Sequence, residues 1–154
     1  MRMAREPHAW RLDVAAALAT LPPEPLRWHD ARAGEVTADP LRFGDVVLAR
    51  KDAPTSYHLA VTVDDAAQGV TDVVRGHDLF EATHVHRLLQ ALLGLPSPRY
   101  HHHDLLTDAD GRRLAKRSGA PTLADLRTGG ADPAELAAAL LSGRLPAGYS
   151  AATL

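Results

Sequence analysis

Four basic residues crowd into the six positions from Arg112 to Arg117, in the run Arg112-Arg113-Leu114-Ala115-Lys116-Arg117-Ser118-Gly119, after a turn and before a glycine. A lysine offers a mobile point charge and an arginine a forked donor, the two devices that neutralise charge growing on polyphosphate during phosphoryl or adenylyl chemistry. The alternative for the same residues is a solvated basic turn. A second constellation is Tyr57 and Arg75, with Asp64-Asp65 between them and Asp78 just beyond. An arginine at the carboxyl end of a buried strand stands where open α/β sheets bind ligands, and it can hold a substrate carboxylate. Its alternative is a structural ion pair with Asp65 or Asp78. Nine histidines, among them His101-His102-His103, His84 and His86, raise the question of a metal. Spacing argues against one: successive strand residues point to opposite faces, and helical residues at i and i+2 lie on different sides. No glycine-rich loop of Walker or Rossmann spacing and no G-x-S-x-G elbow occurs.

The elements that must position these residues alternate. Trp10 to Val14 starts as a strand in an otherwise irregular opening of about forty residues, where Pro22-Pro23-Glu24-Pro25 excludes helix. Leu26 to His29 and Val36-Thr37 bracket a hairpin turn at Gly34, and Asp45 to Ala49 is a short apolar strand. Between Thr55 and Gly69 the apolar residues fit either period, and length favours a helix capped by Ser56 or Thr55 and ended at Gly69. Val70 to Val74 is a β-branched strand, followed by an amphipathic helix over Thr83 to Leu93 with Val85, Leu88, Leu89 and Leu92 on one face. Tyr100 to Leu106 is a further strand, Ala109-Asp110-Gly111 a turn, and two short helices follow from Thr122, the second after Asp132-Pro133. This pattern predicts an α/β fold.

With 154 residues, 45% hydrophobic and 23% charged, the chain has the composition of one ordinary globular domain. No apolar run approaches the length of a bilayer span, and the basic N-terminus leads into no secretory apolar region, so a cytoplasmic location without membrane contact is expected. The absence of cysteine excludes disulfides, Cys-ligated zinc and a thiol nucleophile. A net charge of −2 means that any nucleic-acid contact must come from a local basic patch.

Five blocks taken together resemble the glutamyl-tRNA synthetase family, and more closely the second half of its glutamyl-Q branch. They are Gly44 to Arg50, Ser56 to Asp65, Gln68 to Leu79 with Thr83, Tyr100-His101-His102, and Leu114 to Arg117. The resemblance covers Trp10 to about Leu141. It implies an α/β, Rossmann-like class I synthetase catalytic domain, here its C-terminal half over residues 1–121, with the signature loop at 112–119 and a short helical tail over 122–154. It further implies ATP-dependent activation of glutamate to glutamyl-adenylate, with ATP carried as its magnesium complex, and transfer of glutamate to queuosine in tRNA(Asp). Tyr57 and Arg75 match the glutamate-binding residues, Leu79, Leu105 and Leu106 match the segments around the adenine, and Arg113 and Lys116 match the catalytic loop that steadies the ATP phosphates.

The chain departs from the family at two places. Arg113 replaces the usual first lysine of the loop and Ala115 replaces serine, which keeps charge but removes a hydroxyl donor. The His-x-Gly-His half of the nucleotide site and the family's zinc-binding cysteines, both upstream, have no counterpart here, so no zinc site is expected. The resemblance thus implies a truncated or split ligase that needs a separate N-terminal half as partner. The alternative is a non-catalytic remnant or a module of the same fold that binds tRNA or another partner.

Overall fold

The computed structural model describes residues 8–108, 110–114, 122–146 and 149–152. They divide into two compact units, Met1–His102 and His103–Leu154.

In the first unit the strands are β1 (Trp10–Leu12), β2 (Arg27–Asp30), β3 (Gly34–Thr37), β4 (Val46–Ala49), β5 (Asp72–Gly76) and β6 (Arg99–His103), with helices α1 (Val14–Ala19), α2 (Tyr57–Ala67) and α3 (Ala82–Leu93). The main sheet has the order β3-β2-β6-β5, with β2 antiparallel to β3 and parallel to β6. A separate antiparallel pair joins β1 to β4. The hairpin expected around Gly34 is β2–β3, with Gly34 at a φ of 76°, a backbone conformation that only glycine adopts without strain.

Local chemistry explains the helix ends. Ser56 caps α2 by accepting from the Leu59 N–H, and α3 stops at Gly94, whose φ of 65° is left-handed. The stripe read from sequence on α3 is its inward face: Val85, Leu88 and Leu89 join Val14 and Val46 in the core, with Leu12, Leu18, Leu21, Leu26, Leu48 and Leu92 packed around them. On the sheet the period is two. Trp28 and Asp30 of β2 and Tyr100 and His102 of β6 are buried, whereas Arg27, His29, Arg99, His101 and His103 are exposed.

Three expectations are revised. Val14 does not extend the first strand: Asp13 accepts from the Ala16 N–H and starts α1 there, inside a segment expected to be irregular. The strand expected at Val70 to Val74 lies two residues later, because Val70 N–H bonds back to Asp65 as the chain leaves α2. The run from Tyr100 to Leu106 is two strands, broken at Asp104.

The second unit begins with the second of these strands, β7 (Leu105–Thr107), and continues with α4 (Leu123–Thr128), α5 (Pro133–Leu141) and β8 (Ser150–Ala152). β7 pairs antiparallel with β8, and Thr107 also bridges Arg113. Both helices start on side-chain caps, a Thr122/Asp125 capping box for α4 and Asp132 ahead of Pro133 for α5.

Leu88 has no exposed surface. Leu88→Ala is expected to lower unfolding stability by about 2–5 kcal/mol, and exposed His101→Ala by no more than about 0.5 kcal/mol, in urea titrations followed by circular dichroism. Equal losses would contradict this account of the core.

Candidate anion-binding site

Arg75 lies near the carboxyl end of β5, half-buried, and its guanidinium is held on several sides. Nε donates to His102 Nε2 at 3.0 Å, while Nη2 donates to Thr83 Oγ1 at 2.6 Å, to the Leu79 carbonyl at 3.2 Å and to His86 Nδ1 at 3.3 Å. The ring of Tyr100 lies 5.2 Å from the guanidinium carbon. All these partners are neutral. Among the described residues Nη1 donates to nothing, and Asp65 acts on Arg75 only through space. Burial pushes the Asp65 carboxyl up, Arg75 pulls it back, and neighbouring Asp64 adds to the rise.

The neighbours' protons follow from arginine being only a donor. His102 Nε2 must carry a lone pair, so its proton is on Nδ1, 2.7 Å from Asp30 Oδ2. Asp30 also accepts from the backbone N–H groups of His102, Arg32 and Ala33. Burial works against its charge, but these hydrogen bonds outweigh it and bring the carboxyl down to about 2. On the other flank His86 Nδ1 accepts from Arg75, which puts the His86 proton on Nε2, 3.0 Å from His58 Nδ1. Burial first, then the Arg75 charge, drive His86 down to about 3, and the same two causes lower His58. Burial also lowers His102, against the pull of Asp30. The three imidazoles are therefore neutral acceptors and relays around one cation.

Tyr57, the first residue of α2, is exposed and places its ring 5.9 Å from that of His86, so Tyr57 and Arg75 flank the same imidazole. Tyr57 also lines an open cleft of about 620 Å³ with Ser56, His58, Val46 and Arg50; Arg75 does not line that cleft. Arg50 is paired with Asp52 at 3.0 Å. The histidines expected on opposite sides separate as the periods require. His84 packs between Trp28, Phe43 and Phe80, while His86 faces Tyr57 and His58. Thr83, Leu79, His86 and His102 were not singled out by the sequence as partners of Arg75, nor Asp30 as the partner of His102. Period-two alternation on β6 was the one signal that His102 points inward with Tyr100.

The other expected site residues are placed as follows. Leu79 presents its carbonyl to Arg75 and Thr83. In the second unit Leu105 is buried and Leu106 exposed, as alternation on β7 requires. The turn after β7 is built by Asp108, whose Oδ1 accepts from the Asp110 and Arg112 N–H groups, and Arg112 pairs with Asp110 on the surface. Arg113 is exposed, at the isolated bridge to Thr107. Lys116 lies outside the described residues. A mostly apolar groove of about 410 Å³ between α4 and α5 is lined by Leu123, Leu126, Leu136 and Leu140, together with Arg127.

Residues 18–150 match the family model of tRNA synthetases class I (E and Q), catalytic domain. The chain belongs to this family. Relatives called glutamyl-Q tRNA(Asp) synthetase are 51% identical over 129 residues in Rhodobacter capsulatus, covering 82% of this chain and 45% of the relative, and 52% identical over 112 residues in Xanthomonas oryzae, covering 72% and 38%. The chain thus spans less than half the length of these class I relatives. A crystal structure of a glutamate tRNA ligase from Elizabethkingia meningosepticum in complex with its amino acid superposes with a TM-score of 0.53 and 28% identity over 62% of this chain and 19% of that one. The glutamate-tRNA synthetase of Elizabethkingia anophelis gives the same TM-score at 26% identity, over 72% of this chain and 23% of that one. The fold of the synthetase catalytic domain is therefore shared, and Arg75 and its imidazoles lie within the matched residues.

The low values of His86 and Asp30 set a direction for pH. In the unfolded chain a histidine takes a proton near pH 6.5, but folded His86 does not until about pH 3. Acidification through that window favours the unfolded chain, by about 1.4 kcal/mol per pH unit from one such group. Asp30, lowered from 3.8 to about 2, adds a loss in the same direction only below about pH 4. Urea midpoints measured from pH 7.5 to 4.5 should fall, and His86→Gln, which cannot take up the proton when unfolded, should fall less steeply by about one proton's worth of slope. Parallel curves for the two proteins would contradict a neutral folded His86.

Proposed function

We infer that the chain carries the amino-acid part of an ATP-dependent ligase of the glutamyl-Q type, which activates glutamate and transfers it to queuosine in tRNA(Asp). In this reading it works together with the remaining length found in its relatives. The observation that carries the reading is the half-buried Arg75 cation: neutral groups take its Nε and Nη2, and Nη1 is left to a ligand. A half-buried cation without a carboxylate partner is stabilised most by an anion that arrives from outside.

Arg75 Nη1 would hold a carboxylate of glutamate, and Tyr57, across His86, would bound the same molecule. The other substrate is ATP. A glutamate carboxylate oxygen attacks the α-phosphorus, the bond to the bridging oxygen breaks, and pyrophosphate leaves with the electron pair. Charge grows on the leaving group, and Lys116 and Arg113 are the residues assigned to meet it. Leu106 has open surface to offer the adenine, whereas Leu105 fills the interior of its own unit and Leu79 serves through its carbonyl. Among the described residues no group of three or more side chains is placed to hold a metal ion, so the reading assigns magnesium no ligand from them. No helix of the described residues is long and apolar enough to cross a membrane.

The test is glutamate-dependent ATP–pyrophosphate exchange, with the rest of the relatives' length supplied in trans. Arg75→Ala is expected to abolish measurable glutamate binding and Arg75→Lys to restore it only in part, because one ammonium replaces a planar fork. Unchanged affinity in both variants would remove Arg75 from the site. Lys116→Ala should slow adenylation by about 100- to 1,000-fold with little change in glutamate affinity, since a contact made only in the transition state acts on turnover. Rates within about twofold of the parent would favour a non-catalytic module that binds tRNA through its basic segment.

A further inference from the structure

His102 bonds Arg75 through Nε, the side away from Nη1, and Asp30 backs His102; their burial is nearly complete, with side-chain exposure of 1% for Asp30 and 0% for His102. The pair is also far apart in sequence, joined by the β2–β6 register in which Asp30 lies opposite Tyr100. Both Asp30 oxygens are engaged, Oδ1 by the Arg32 and Ala33 N–H groups and Oδ2 by the backbone N–H and the ring Nδ1–H of His102. A carboxylate saturated in this way has one thing left to do for its neighbour, which is to hold the imidazole proton on Nδ1. The consequence appears on the other side of the same ring, where His102 Nε2 must be a bare lone pair facing Arg75 Nε at 3.0 Å. Were the proton on Nε2, two N–H groups would point at each other across that distance.

We propose that Asp30 and His102 are positioning residues for the anion site: Asp30 sets the His102 tautomer, and His102 holds the Arg75 guanidinium so that Nη1 faces the carboxylate ligand. The Thr83 hydroxyl, 3.3 Å from both His102 Nε2 and the Leu79 carbonyl while accepting from Nη2, closes the same cage. The arrangement separates two demands. The edge of the guanidinium formed by Nε and Nη2 is spent on neutral acceptors that do not cancel its charge, and the charge stays available to the ligand. A carboxylate placed directly on Arg75 would have oriented it equally well but neutralised it. Asp30 instead acts through an uncharged ring. The proposal rests on glutamate, or another small carboxylate, being the ligand of Arg75.

Two readouts on the full chain separate the proposal from the reading beneath it. Nitrogen-15 spectra of the histidine side chains of the unliganded protein should show His102 as the neutral Nδ1–H form at pH 7, and Asp30→Asn should move that proton to Nε2, because the amide offers a donor where the carboxylate accepted. Glutamate titration by calorimetry should then show at least about a tenfold loss of affinity in His102→Leu, and a loss within about threefold in His102→Gln, whose amide oxygen supplies an acceptor near the Nε2 position. If Asp30→Asn does not fold, the two His102 variants carry the test, with circular dichroism confirming that both are folded. Parent-like affinity in His102→Leu beside lost affinity in Arg75→Ala would overturn the positioning role and leave the site standing. No glutamate binding by the parent, or no effect of Arg75→Ala, would overturn the site and the proposal with it. An Nε2–H tautomer in the parent would overturn the proposal directly.

Discussion

The structure of the first unit depends on one constraint: a half-buried guanidinium cation at the end of β5 with no carboxylate bonded to it among the described residues. Such a group is costly unless its donors are satisfied, and satisfying them with anions would cancel the charge. The solution is a shell of neutral acceptors drawn from four places in the chain: the Leu79 carbonyl, Thr83 and His86 of α3, and His102 of β6. That requirement explains why three of the nine histidines are buried or half-buried around Arg75 and held neutral, and why α3 must pack with Thr83 and His86 facing β5 while Val85, Leu88 and Leu89 fill the core.

The same constraint organises the sheet. β6 lies between β2 and β5, so its inward residues Tyr100 and His102 meet Asp30 and Trp28 on one side and Arg75 on the other. Tyr100 covers the guanidinium with its ring, and its phenol, raised by burial, accepts from the Gln90 amide. Packing, hydrogen bonding and charge placement thus converge on one strand, and the site is built on rigid elements, which suits a carboxylate that must be held in register for attack.

Much of this was legible in the sequence where the signal was local. The α3 stripe, the Ser56 cap, the hairpin at Gly34 and the two capped helices after Thr122 all follow from side-chain period and end chemistry within a few residues. Arg75 could be placed at a strand end for the same reason, and the family blocks around Tyr57 and Arg75 were present in order. What stayed hidden is non-local. Nothing near His102 reports that Asp30, 72 positions earlier, will be its partner, and nothing near Arg75 reports that two imidazoles will accept from its guanidinium. The break at Asp104 was equally invisible, because an alternating run does not show that β7 pairs with β8 near the far end of the chain. α1 was missed for a different reason: six residues are too few for period to outweigh the strand-like start at Trp10, although the Asp13 cap ahead of Val14-Ala15-Ala16-Ala17 was there to be read.

The central claim is that Arg75 keeps one edge for an incoming carboxylate. A crystal structure of the protein soaked with glutamate measures this most directly. The account predicts a glutamate carboxylate oxygen about 2.7–2.9 Å from Arg75 Nη1, with the contacts of Nε to His102 and of Nη2 to Thr83 unchanged. Glutamate bound elsewhere, with Nη1 still unengaged, or an Arg75 that swings away from His102 to reach its ligand, would contradict it.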